Sequence, residues 1–227
     1  MDTIITNSKN VEKRLEKFTG YASEIVYPPT DTSRFVPANS EIHTDSENLK
    51  TWELENYFLS FARLSPPKRV DMIVSAFLDM PEEHLILTYG KNDPMKREIL
   101  EKIQNAPHIH ALESPDDDAL IELIRGATAT IYIPVDEDFG MSPVESMACG
   151  TPVIGVREWG LLETVVPWKT GKLIDIPTPD SSILHLKEVI QNTPKEEWKN
   201  MHTDCIERSK IFSLDAFEKK LKSLLNL

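Results

Sequence analysis

Residues 137–156 read EDFGMSPVESMACGTPVIGV, a run that places a loop, a short helix and an apolar strand directly one after another. Two carboxylates, Glu137 and Glu145, stand eight positions apart, and Gly140 lies between them. Gly150 marks the end of the helical part, because glycine commonly terminates a helix, and the apolar residues after it predict a buried strand. The stretch therefore predicts one helix–strand step of an α/β fold.

The middle of this stretch carries the signals of a helix start. Ser142 is a favourable N-cap residue and Pro143 suits the first helical position, which would place Glu145 in the first turn. N–H groups at a helix start attract anions, because they lack intrahelical partners and lie at the positive end of the dipole. The backbone amides expected to face an anion belong to Phe139, Gly140, Met141 and Ser142. Carboxylates on either side can accept hydrogen bonds from hydroxyls, so the arrangement suits a sugar nucleotide, with its diphosphate in the middle.

The composition is that of an acidic globular chain of 227 residues. Hydrophobic residues make up 40% of it, enough for a core, and the formal net charge of −12 argues against a nucleic-acid partner, since such proteins bind phosphates through Lys and Arg. The two cysteines fit reduced thiols and form neither a disulfide framework nor a metal-ligand spacing. The sequence shows no signal-peptide pattern and no apolar run near the ~20 residues that span a bilayer, so we predict a cytoplasmic location.

From residue 57 onward, short apolar runs alternate with amphipathic helices. Strands are predicted at residues 57–62, 85–89, 108–112, 130–133, 152–156 and 172–174. The helices between them are predicted to begin at Ser65-Pro66-Pro67, Asp93-Pro94, Ser114-Pro115 and Ser142-Pro143. The alternation predicts an α/β fold with a doubly wound parallel sheet of the Rossmann-like kind and extra helices at the termini.

The carboxyl ends of these strands collect the residues with chemical potential, and open parallel sheets bind ligands at that edge. Arg63 and Lys68 flank the first helix start, where a guanidinium and an ammonium can bind a diphosphate, whereas Arg69 is expected to be solvated. Taken alone, Arg63 and Lys68 are equally consistent with ordinary surface charges. Glu137 and Glu145 are likewise consistent with carboxylates that complement a helix dipole.

The two ends of the chain carry additional elements. Residues 3–6 and 24–27 predict short strands on either side of a helix with Val11, Leu15 and Phe18 on one face. Two apolar helical stripes near the carboxyl terminus consist of Trp198, Met201 and Cys205 and of Phe217, Leu221 and Leu224. The first helix also has a basic face, which is consistent with solvation, with peripheral contact to anionic lipid or with contact to a partner domain. That face consists of Lys9, Lys13, Arg14 and Lys17.

Four stretches together resemble the retaining glycosyltransferases of GT-B architecture, of the family-4 type. The paired glutamates and the MACGTPVI run of residues 137–154 resemble the signature of that family. Residues 63–71 (RLSPPKRVD) are similar to its phosphate-clamping segment, and residues 163–173, with ETVV and TGKL, to its downstream segment. Residues 26–35 look like the junction between the two halves of such enzymes. The resemblance covers nearly the whole chain, and the mannosyltransferases that build O-antigen-type polysaccharides are the most similar branch.

The resemblance implies a domain that binds a nucleotide-sugar donor, with GDP-mannose as the expected donor, and that needs no metal or other cofactor. By analogy, Arg63 and Lys68 would hold the diphosphate, Glu137 the sugar hydroxyls and Glu145 the ribose hydroxyls, and the base would lie near residues 112–113. Glu137, Arg63 and Lys68 would act in catalysis by positioning the donor and stabilising charge on the diphosphate. The full expected binding set is Arg63, Lys68, Leu112, Glu113, Glu137, Phe139, Gly140, Met141, Ser142 and Glu145.

Two departures from the family pattern concern the donor pocket. Trp159 stands where the family often has glycine, so its ring would either narrow the sugar pocket or stack on a hexose. The residues around Glu113 also differ from the usual base site, which leaves the choice between GDP and UDP open.

By the same resemblance, the chain divides into four parts. Residues 1–35 are interpreted as the remnant of an acceptor domain with the interdomain junction, 36–56 as a connector, 57–211 as the nucleotide-sugar-binding domain and 212–227 as a C-terminal helix. Because no second strand–helix set for an acceptor domain is present, we expect donor binding with little transfer in isolation. Two alternatives remain open at this point: pairing with a separately encoded acceptor half, or a truncated product. The alternative is a non-catalytic nucleotide-sugar-binding module. A dinucleotide or P-loop protein is disfavoured, because no G-x-G-x-x-G or G-x-x-x-x-G-K-[ST] follows a predicted strand.

Overall fold

The computed structural model describes residues 3–38 and 56–225. Its strands are β1 (Ile5–Thr6), β2 (Glu24–Ile25), β3 (Tyr57–Ser60), β4 (His84–Tyr89), β5 (Ile109–Glu113), β6 (Ala129–Tyr132), β7 (Val153–Val156) and β8 (Gly171–Ile174). Its α-helices are α1 (Lys9–Thr19), α2 (Val70–Leu78), α3 (Lys96–Ile103), α4 (Asp117–Gly126), α5 (Met141–Ala148), α6 (Leu161–Thr164), α7 (Pro179–Asn192), α8 (Lys195–Asn200), α9 (His202–Ser209) and α10 (Leu214–Leu225). Short 3-10 helices span Pro66–Lys68 and Lys210–Phe212.

The main sheet has six parallel strands in the order β5-β4-β3-β6-β7-β8. All six strands expected from the sequence are present, and the doubly wound parallel fold is confirmed. The strand order reverses at β3, because β4 and β5 lie on one side of it and β6 to β8 on the other. The loops after β3 and β6 therefore flank a crevice at the carboxyl edge, where sheets of this kind bind their ligands.

Both faces of the sheet are covered, as expected for parallel strands. The residues of β3 alternate between two apolar cores, because Phe58 points to one and Tyr57 and Leu59 to the other. The first core is closed by α2 and α7 and the second by α4. The predicted apolar face of α2, which consists of Val70, Ile73, Val74 and Phe77, is completely buried in the first core.

The helical stripes near the carboxyl terminus differ in their burial. Trp198, Met201 and Cys205 are all at most 3% exposed, although Met201 separates α8 from α9 rather than lying inside one helix. The stripe of α10 is only partly buried, and no residue of that helix is fully enclosed. Phe212, immediately before α10, belongs to the main core, and its carbonyl accepts a hydrogen bond from the Thr30 amide at 2.8 Å. The carboxyl-terminal segment thus packs on residues that precede the main sheet.

Several helices begin later than the sequence predicts. The Ser-Pro-Pro motif opens only the first 3-10 helix, and Arg69 then adopts a left-handed φ of 51° before α2 starts at Val70. Asp93 does not open α3, which starts at Lys96, because its carboxylate is engaged by two loop amides. In α4 the cap is Asp116, whose side chain accepts from the Ala119 amide. The three boundaries are therefore set by a left-handed turn, by a side chain engaged in a loop and by a side-chain cap, respectively.

The amino-terminal segment forms a small unit of its own. Strands β1 and β2 pair in parallel, and α1 begins after Ser8, whose hydroxyl accepts from the Val11 amide at 3.1 Å. The predicted strand–helix–strand order is confirmed, but α1 contains no fully buried residue. Apolar side chains of this unit remain open to solvent, namely Ile4, Ile5, Phe18 and Tyr21. The predicted connector falls almost entirely on residues 39–55, which lie outside the described residues, and the domain bounds stay predictions.

Candidate functional site

The crevice at the carboxyl edge is built by three loops that hold one another. The loop after β3 (residues 61–69, the β3 loop) touches the loop after β6 (residues 133–140, the Glu137 loop), because the Val135 amide donates to the Pro67 carbonyl at 2.7 Å. The carboxylate of Asp93, in the loop after β4, accepts from the amides of Leu64 at 2.8 Å and Gly90 at 2.9 Å. These bonds fix the ends of β3, β4 and β6 relative to each other.

Lys68 and Glu137 meet inside this crevice. The Lys68 ammonium donates to Glu137 Oε2 at 2.7 Å and to the Tyr132 hydroxyl at 2.7 Å, and that hydroxyl donates to the same Oε2 at 2.6 Å. The Lys68 and Glu137 side chains are only 23% and 19% exposed. Burial, followed by the hydrogen bond to Glu137, raises the pKa of the Tyr132 phenol, so the phenol stays protonated. The structure therefore joins two predicted site residues through a third that the sequence did not single out.

The two arginines of the β3 loop have different environments. Arg63 is exposed, and its guanidinium makes no hydrogen bond or ion pair with any residue of segments 3–38 and 56–225. Arg69 was expected to be solvated, and this prediction is wrong, because its side chain is only 18% exposed and its nearest carboxylate, Glu158, lies 3.9 Å away. The left-handed turn at Arg69 directs the residue back onto the domain. Arg63 is thus the more exposed of these two arginines and can reach an anionic ligand without losing a partner among the described residues.

Helix α5 starts two residues earlier than predicted. Its N-cap is Gly140, with φ 91°, and Met141 is the first helical residue, so Ser142 is not the cap and Pro143 is the third residue. Glycine adopts this left-handed conformation without strain, which explains why the cap lies there. Neither does Glu145 lie in the first turn, which contains no acidic residue. Because no side chain caps the helix, the positive end of α5 remains available to an anion.

Glu145 lies on the second turn of α5 and is half-buried. Burial raises the pKa of its carboxyl group, and repulsion from Asp117 adds to the shift. Its carboxylate has no hydrogen-bond partner among the residues that the structure describes. A half-buried carboxylate without a partner is unfavourable for stability and therefore suits a group that is completed by ligand hydroxyls.

Aromatic packing of Phe139 against Tyr27 and Phe212 anchors the Glu137 loop to the domain. Phe139 is 2% exposed and stacks on Tyr27 at 5.4 Å between ring centroids, with Phe212 at 5.3 Å. Its contribution to a ligand can therefore come only from the backbone. A Cβ at Gly160 would lie 2.5 Å from the Phe139 Cα, so only glycine fits under this loop, and the Gly160 amide donates to the Glu137 carbonyl at 2.9 Å.

Trp159, the residue that departs from the family pattern, adopts a left-handed φ of 54°. Glycine would adopt this conformation freely, whereas tryptophan is strained in it. The indole is 40% exposed and lines an open cavity of about 440 Å³ between α1 and α6, together with Lys9, Lys13 and Leu162. The cavity adjoins the Glu137 loop on the side of α1.

The predicted base-binding residues lie at the same edge but farther out. Leu112 and Glu113 end β5, which is separated from β3 by β4. Leu112 packs partly into the second core, and the Glu113 carboxylate forms an ion pair with Lys96. This pairing lowers the pKa of Glu113 and keeps it ionised. The structure does not bring these two residues into the Lys68–Glu137 cluster.

Helix α1 holds the outer side of the Glu137 loop. Arg14 donates to Asp138 at 2.9 Å and to Asp136 at 3.2 Å. Glu163 on α6 accepts from the amides of Lys9 at 2.8 Å and Asn10 at 2.9 Å, which are the first two N–H groups of α1. It thereby neutralises the positive end of the helix dipole. The Glu163 segment thus fastens α1 to the main domain.

Three contributors to the site are not predicted from the sequence: Tyr132, Asp93 and the contacts of α1. Tyr132 ends an apolar strand, where an aromatic residue normally indicates core. Asp93 precedes a proline, which usually indicates a helix start. Neither residue carries a sequence signal that distinguishes its actual role, because both roles depend on which loops the topology brings together.

Neither a metal-binding cluster nor a membrane-spanning helix is found in the described parts of the chain. No group of three His, Cys, Asp or Glu residues is arranged to hold a metal ion there. Nor does any helix within residues 3–38 and 56–225 combine the length and apolarity that crossing a bilayer requires.

Comparison with known proteins places this architecture in a family. The sequence signature described as "Glycosyl transferases group 1" matches residues 42–211. The chain is 26% identical over 219 residues to alpha-1,3/1,6-mannosyltransferase alg-2 of Neurospora crassa, covering 82% of this chain and 46% of that protein. It is also 26% identical over 214 residues to the D-inositol 3-phosphate glycosyltransferase of Corynebacterium glutamicum, covering 89% of this chain and 51% of that protein. The chain thus spans about half the length of these curated relatives.

Solved structures share the fold of this chain. Anabaena Alr3699/HepE, solved in complex with UDP and glucose, superposes with a TM-score of 0.82 at 19% identity, over 99% of this chain and 62% of that one. Sucrose-phosphate synthase from Thermosynechococcus elongatus gives a TM-score of 0.80 at 19% identity, over 99% and 58%. With its parallel sheet, its crevice at the strand reversal and a family signature over residues 42–211, this chain belongs to the group 1 glycosyl transferases of GT-B type.

Proposed function

We propose that this chain is the donor-binding half of a retaining hexosyltransferase and that its donor is GDP-mannose. The observation that carries the proposal is the cluster at the strand reversal. There the Lys68 ammonium, the Glu137 carboxylate and the uncapped start of α5 lie around one crevice. A nucleotide sugar needs a cationic site for its diphosphate between two sites for hydroxyls, and this crevice offers both kinds of group.

The diphosphate is assigned to the cationic side of the crevice. Lys68 and Arg63 supply charge, and the first turn of α5 supplies backbone N–H groups and the positive end of a dipole. Arg63 is exposed and unpaired within the described residues, so it loses no protein partner when a phosphate arrives. During transfer, negative charge builds up on the leaving diphosphate, and fixed cations here stabilise that charge.

The two carboxylates are assigned to hydroxyls. Glu137 Oε2 is occupied by Lys68 and Tyr132, which leaves Oε1 for a hydroxyl of the sugar. Glu145 has no protein partner among the described residues and is assigned to the ribose. Mannose as the sugar is supported by the relatives that carry the name mannosyltransferase. The inositol phosphate glycosyltransferases among the relatives make a different hexosyl donor the first alternative.

Transfer requires an acceptor site, which we assign to a second half of GT-B type. The β1–α1–β2 unit supports this assignment, because two parallel strands alone are too few for a stable sheet and its Ile4, Ile5, Phe18 and Tyr21 are exposed. The acceptor half would continue this small sheet and face the cavity beside Trp159. The same donor site without transfer would make the chain a nucleotide-sugar-binding module, which is the second candidate.

Thermal unfolding with added nucleotide tests the donor assignment. At about 100 times its Kd a ligand adds about 2.7 kcal/mol, which corresponds to a rise in Tm of roughly 5–10 °C for a chain of this size. We expect the largest rise with GDP-mannose, a smaller one with UDP-glucose and none with NAD. Arg63→Ala should abolish the rise, whereas Arg97→Ala, at an exposed ion pair on α3, should preserve it.

A transfer assay separates the two candidate functions. The chain is mixed with the acceptor-binding half of a mannosyltransferase that it resembles, and radiolabelled mannose is followed from GDP-mannose into a glycan acceptor. Product formed only by the mixture supports the hexosyltransferase. Donor binding without product, with several acceptor halves, supports the binding module, and absence of binding to every nucleotide sugar contradicts both.

A further inference from the structure

Tyr132 links the cation and the carboxylate of the donor crevice. Tyr132 is the last residue of β6 and is 7% exposed, and its hydroxyl contacts two charged groups of the predicted site, Lys68 and Glu137. The hydroxyl accepts a hydrogen bond from Lys68 at 2.7 Å and donates one to Glu137 Oε2 at 2.6 Å. The Lys68 ammonium also lies 5.0 Å from the centroid of the Tyr132 ring.

These contacts fix the direction of the Lys68 ammonium. An ammonium group has three N–H donors in a tetrahedral arrangement, and two of them are used by Glu137 and Tyr132. With two directions fixed, the third is fixed as well. A lysine on a flexible stem would otherwise lose rotational freedom only when it binds its ligand, and that loss would weaken binding.

The same contacts fix the Glu137 carboxylate. Both hydrogen bonds from the protein reach Oε2, and Oε1 has no hydrogen-bond partner in segments 3–38 and 56–225. The carboxylate therefore presents one chosen oxygen to a ligand. Tyrosine suits this task because its hydroxyl both accepts and donates, and because its buried ring has few rotamers, whereas Lys68 alone could satisfy Glu137 in many geometries.

We propose that Tyr132 is a positioning residue that aims the Lys68 ammonium at the donor diphosphate and the Glu137 carboxylate at the donor sugar. This inference rests on the proposed function, because it assigns no new ligand. Tyr132 does not touch the donor in this scheme. Its effect on diphosphate binding is transmitted through Lys68 and its effect on sugar binding through Glu137, so each effect should disappear when the transmitting residue is removed.

A double-mutant cycle tests this transmission. The affinity for GDP is measured by isothermal titration calorimetry for the unmodified chain, Tyr132→Phe, Lys68→Met and the double variant. We expect Tyr132→Phe alone to weaken GDP binding about tenfold, the effect typical of a lost hydrogen bond to a charged group. In the Lys68→Met background the same substitution should change GDP affinity less than about twofold, because non-additivity is the signature of coupled residues.

Tyr57→Phe is the matched control. Tyr57 is also a buried tyrosine at a strand of the main sheet, and its hydroxyl donates to the Leu123 carbonyl at 2.7 Å, outside the crevice. It should lower Tm and leave GDP affinity unchanged. Phenylalanine keeps the ring in both variants, so the fold is retained, and circular dichroism of each variant checks it.

Each outcome separates this inference from the proposed function. Equal weakening by Tyr132→Phe with and without Lys68, or no weakening at all, overturns the positioning role while donor binding stands. If the unmodified chain binds neither GDP nor UDP, the proposed function fails, and the inference fails with it. A second cycle with GDP-mannose and Glu137→Gln tests the sugar side, where the preference for GDP-mannose over GDP should fall in Tyr132→Phe.

Discussion

The two sides of the Glu137 loop are held by ion pairs of similar length but very different surroundings. On the inner side, Lys68 contacts Glu137 at 2.7 Å with side chains 23% and 19% exposed. On the outer side, Arg14 contacts Asp138 at 2.9 Å with side chains 44% and 51% exposed. Water screens the outer pair and leaves it a small net stabilisation, whereas removing one partner of the inner pair would leave a half-buried charge unpaired.

Burial, rather than distance, distinguishes the strength of these two ion pairs. The inner pair is also completed by Tyr132, so its two charges share three hydrogen bonds. On the outer side, the single guanidinium of Arg14 contacts two carboxylates, Asp136 and Asp138, which repel each other. We therefore expect the inner side to determine ligand binding and local stability, and the outer side to contribute a weak and salt-sensitive attachment of α1.

Replacing Lys68 should have the largest effect of the substitutions that distinguish the two sides. Lys68→Met leaves Glu137 with one donor, Tyr132, and removes the charge that attracts the diphosphate. We expect the free energy of unfolding to fall by about 1–3 kcal/mol, because the half-buried Glu137 charge loses its counter-charge and keeps only a neutral donor. Stabilisation by GDP-mannose should be lost. Urea denaturation with and without nucleotide measures both quantities.

Lys187→Met provides the control for this prediction. The Lys187 side chain is 24% exposed, nearly as buried as Lys68, and pairs with Asp79 at 2.9 Å on the far side of the domain. Its partner is 60% exposed and can be hydrated after the substitution, so the loss of stability should be smaller and nucleotide stabilisation should persist. If both variants lost stability equally and both still bound nucleotide, the special status of the inner pair would be contradicted.

Glu145 is a half-buried charge without a hydrogen-bond partner among the residues that the structure describes. Burial raises the pKa of its carboxyl above the ordinary value of 4.5, so the folded state holds its proton more tightly than the unfolded state. The ionised group therefore lowers the free energy of unfolding. This loss of stability develops as pH rises from about 4.5 through the folded-state pKa. Glu145→Gln should raise Tm at neutral pH, and the gain should vanish at acidic pH. Nucleotide affinity should fall, because the neutral amide replaces one acceptor oxygen by a donor and binds the ribose hydroxyls less strongly than a carboxylate does.

Glu83→Gln separates the stability effect from the binding effect. Burial also raises the pKa of Glu83, which lies just before β4 and away from the crevice. Glu83→Gln should likewise raise Tm relative to the unmodified chain, by an amount that grows with pH, but it should leave nucleotide affinity unchanged. A Glu145→Gln variant with higher Tm and unaltered affinity would remove Glu145 from the binding site, and one with lower Tm would show that its carboxylate is paired.

The sequence was sufficient for the architecture because the signals involved are local. Each of the six strands of the main sheet coincides with an apolar run, and Gly150 ends α5 as expected. The strand order, by contrast, follows from the alternation only through topology. Placing Arg63, Lys68 and Glu137 at one edge was therefore possible from the sequence, whereas their distances were not. The structure brings Lys68 and Glu137 into contact and leaves Arg63 free within the described residues.

The errors at the site have physical reasons that a single sequence does not contain. The sequence predicts a start of α5 that is two residues too late, because Ser142-Pro143 is a strong local signal, whereas the left-handed turn at Gly140 decides the boundary. Arg69 was expected to be solvated because arginines usually are, and here a left-handed turn folds it back onto the domain. Tyr132 was missed because the pairing of its hydroxyl depends on β3 and β6 being neighbours.

Replacing Arg14 should have the smallest effect, and it is the sharpest test of burial as the deciding factor. Arg14→Gln removes the outer pair but leaves two carboxylates that water can solvate. We expect the free energy of unfolding to fall by less than ~1 kcal/mol at about 0.1 M salt and by almost nothing at about 1 M, where screening acts within ~3 Å. The Lys68→Met effect should persist at both salt concentrations. Arg97→Gln, at an exposed i,i+4 pair outside the loop, should behave as Arg14→Gln does. A large, salt-independent loss for Arg14 alone would mean that α1 holds the loop more tightly than its exposure implies, because only a desolvated pair resists screening.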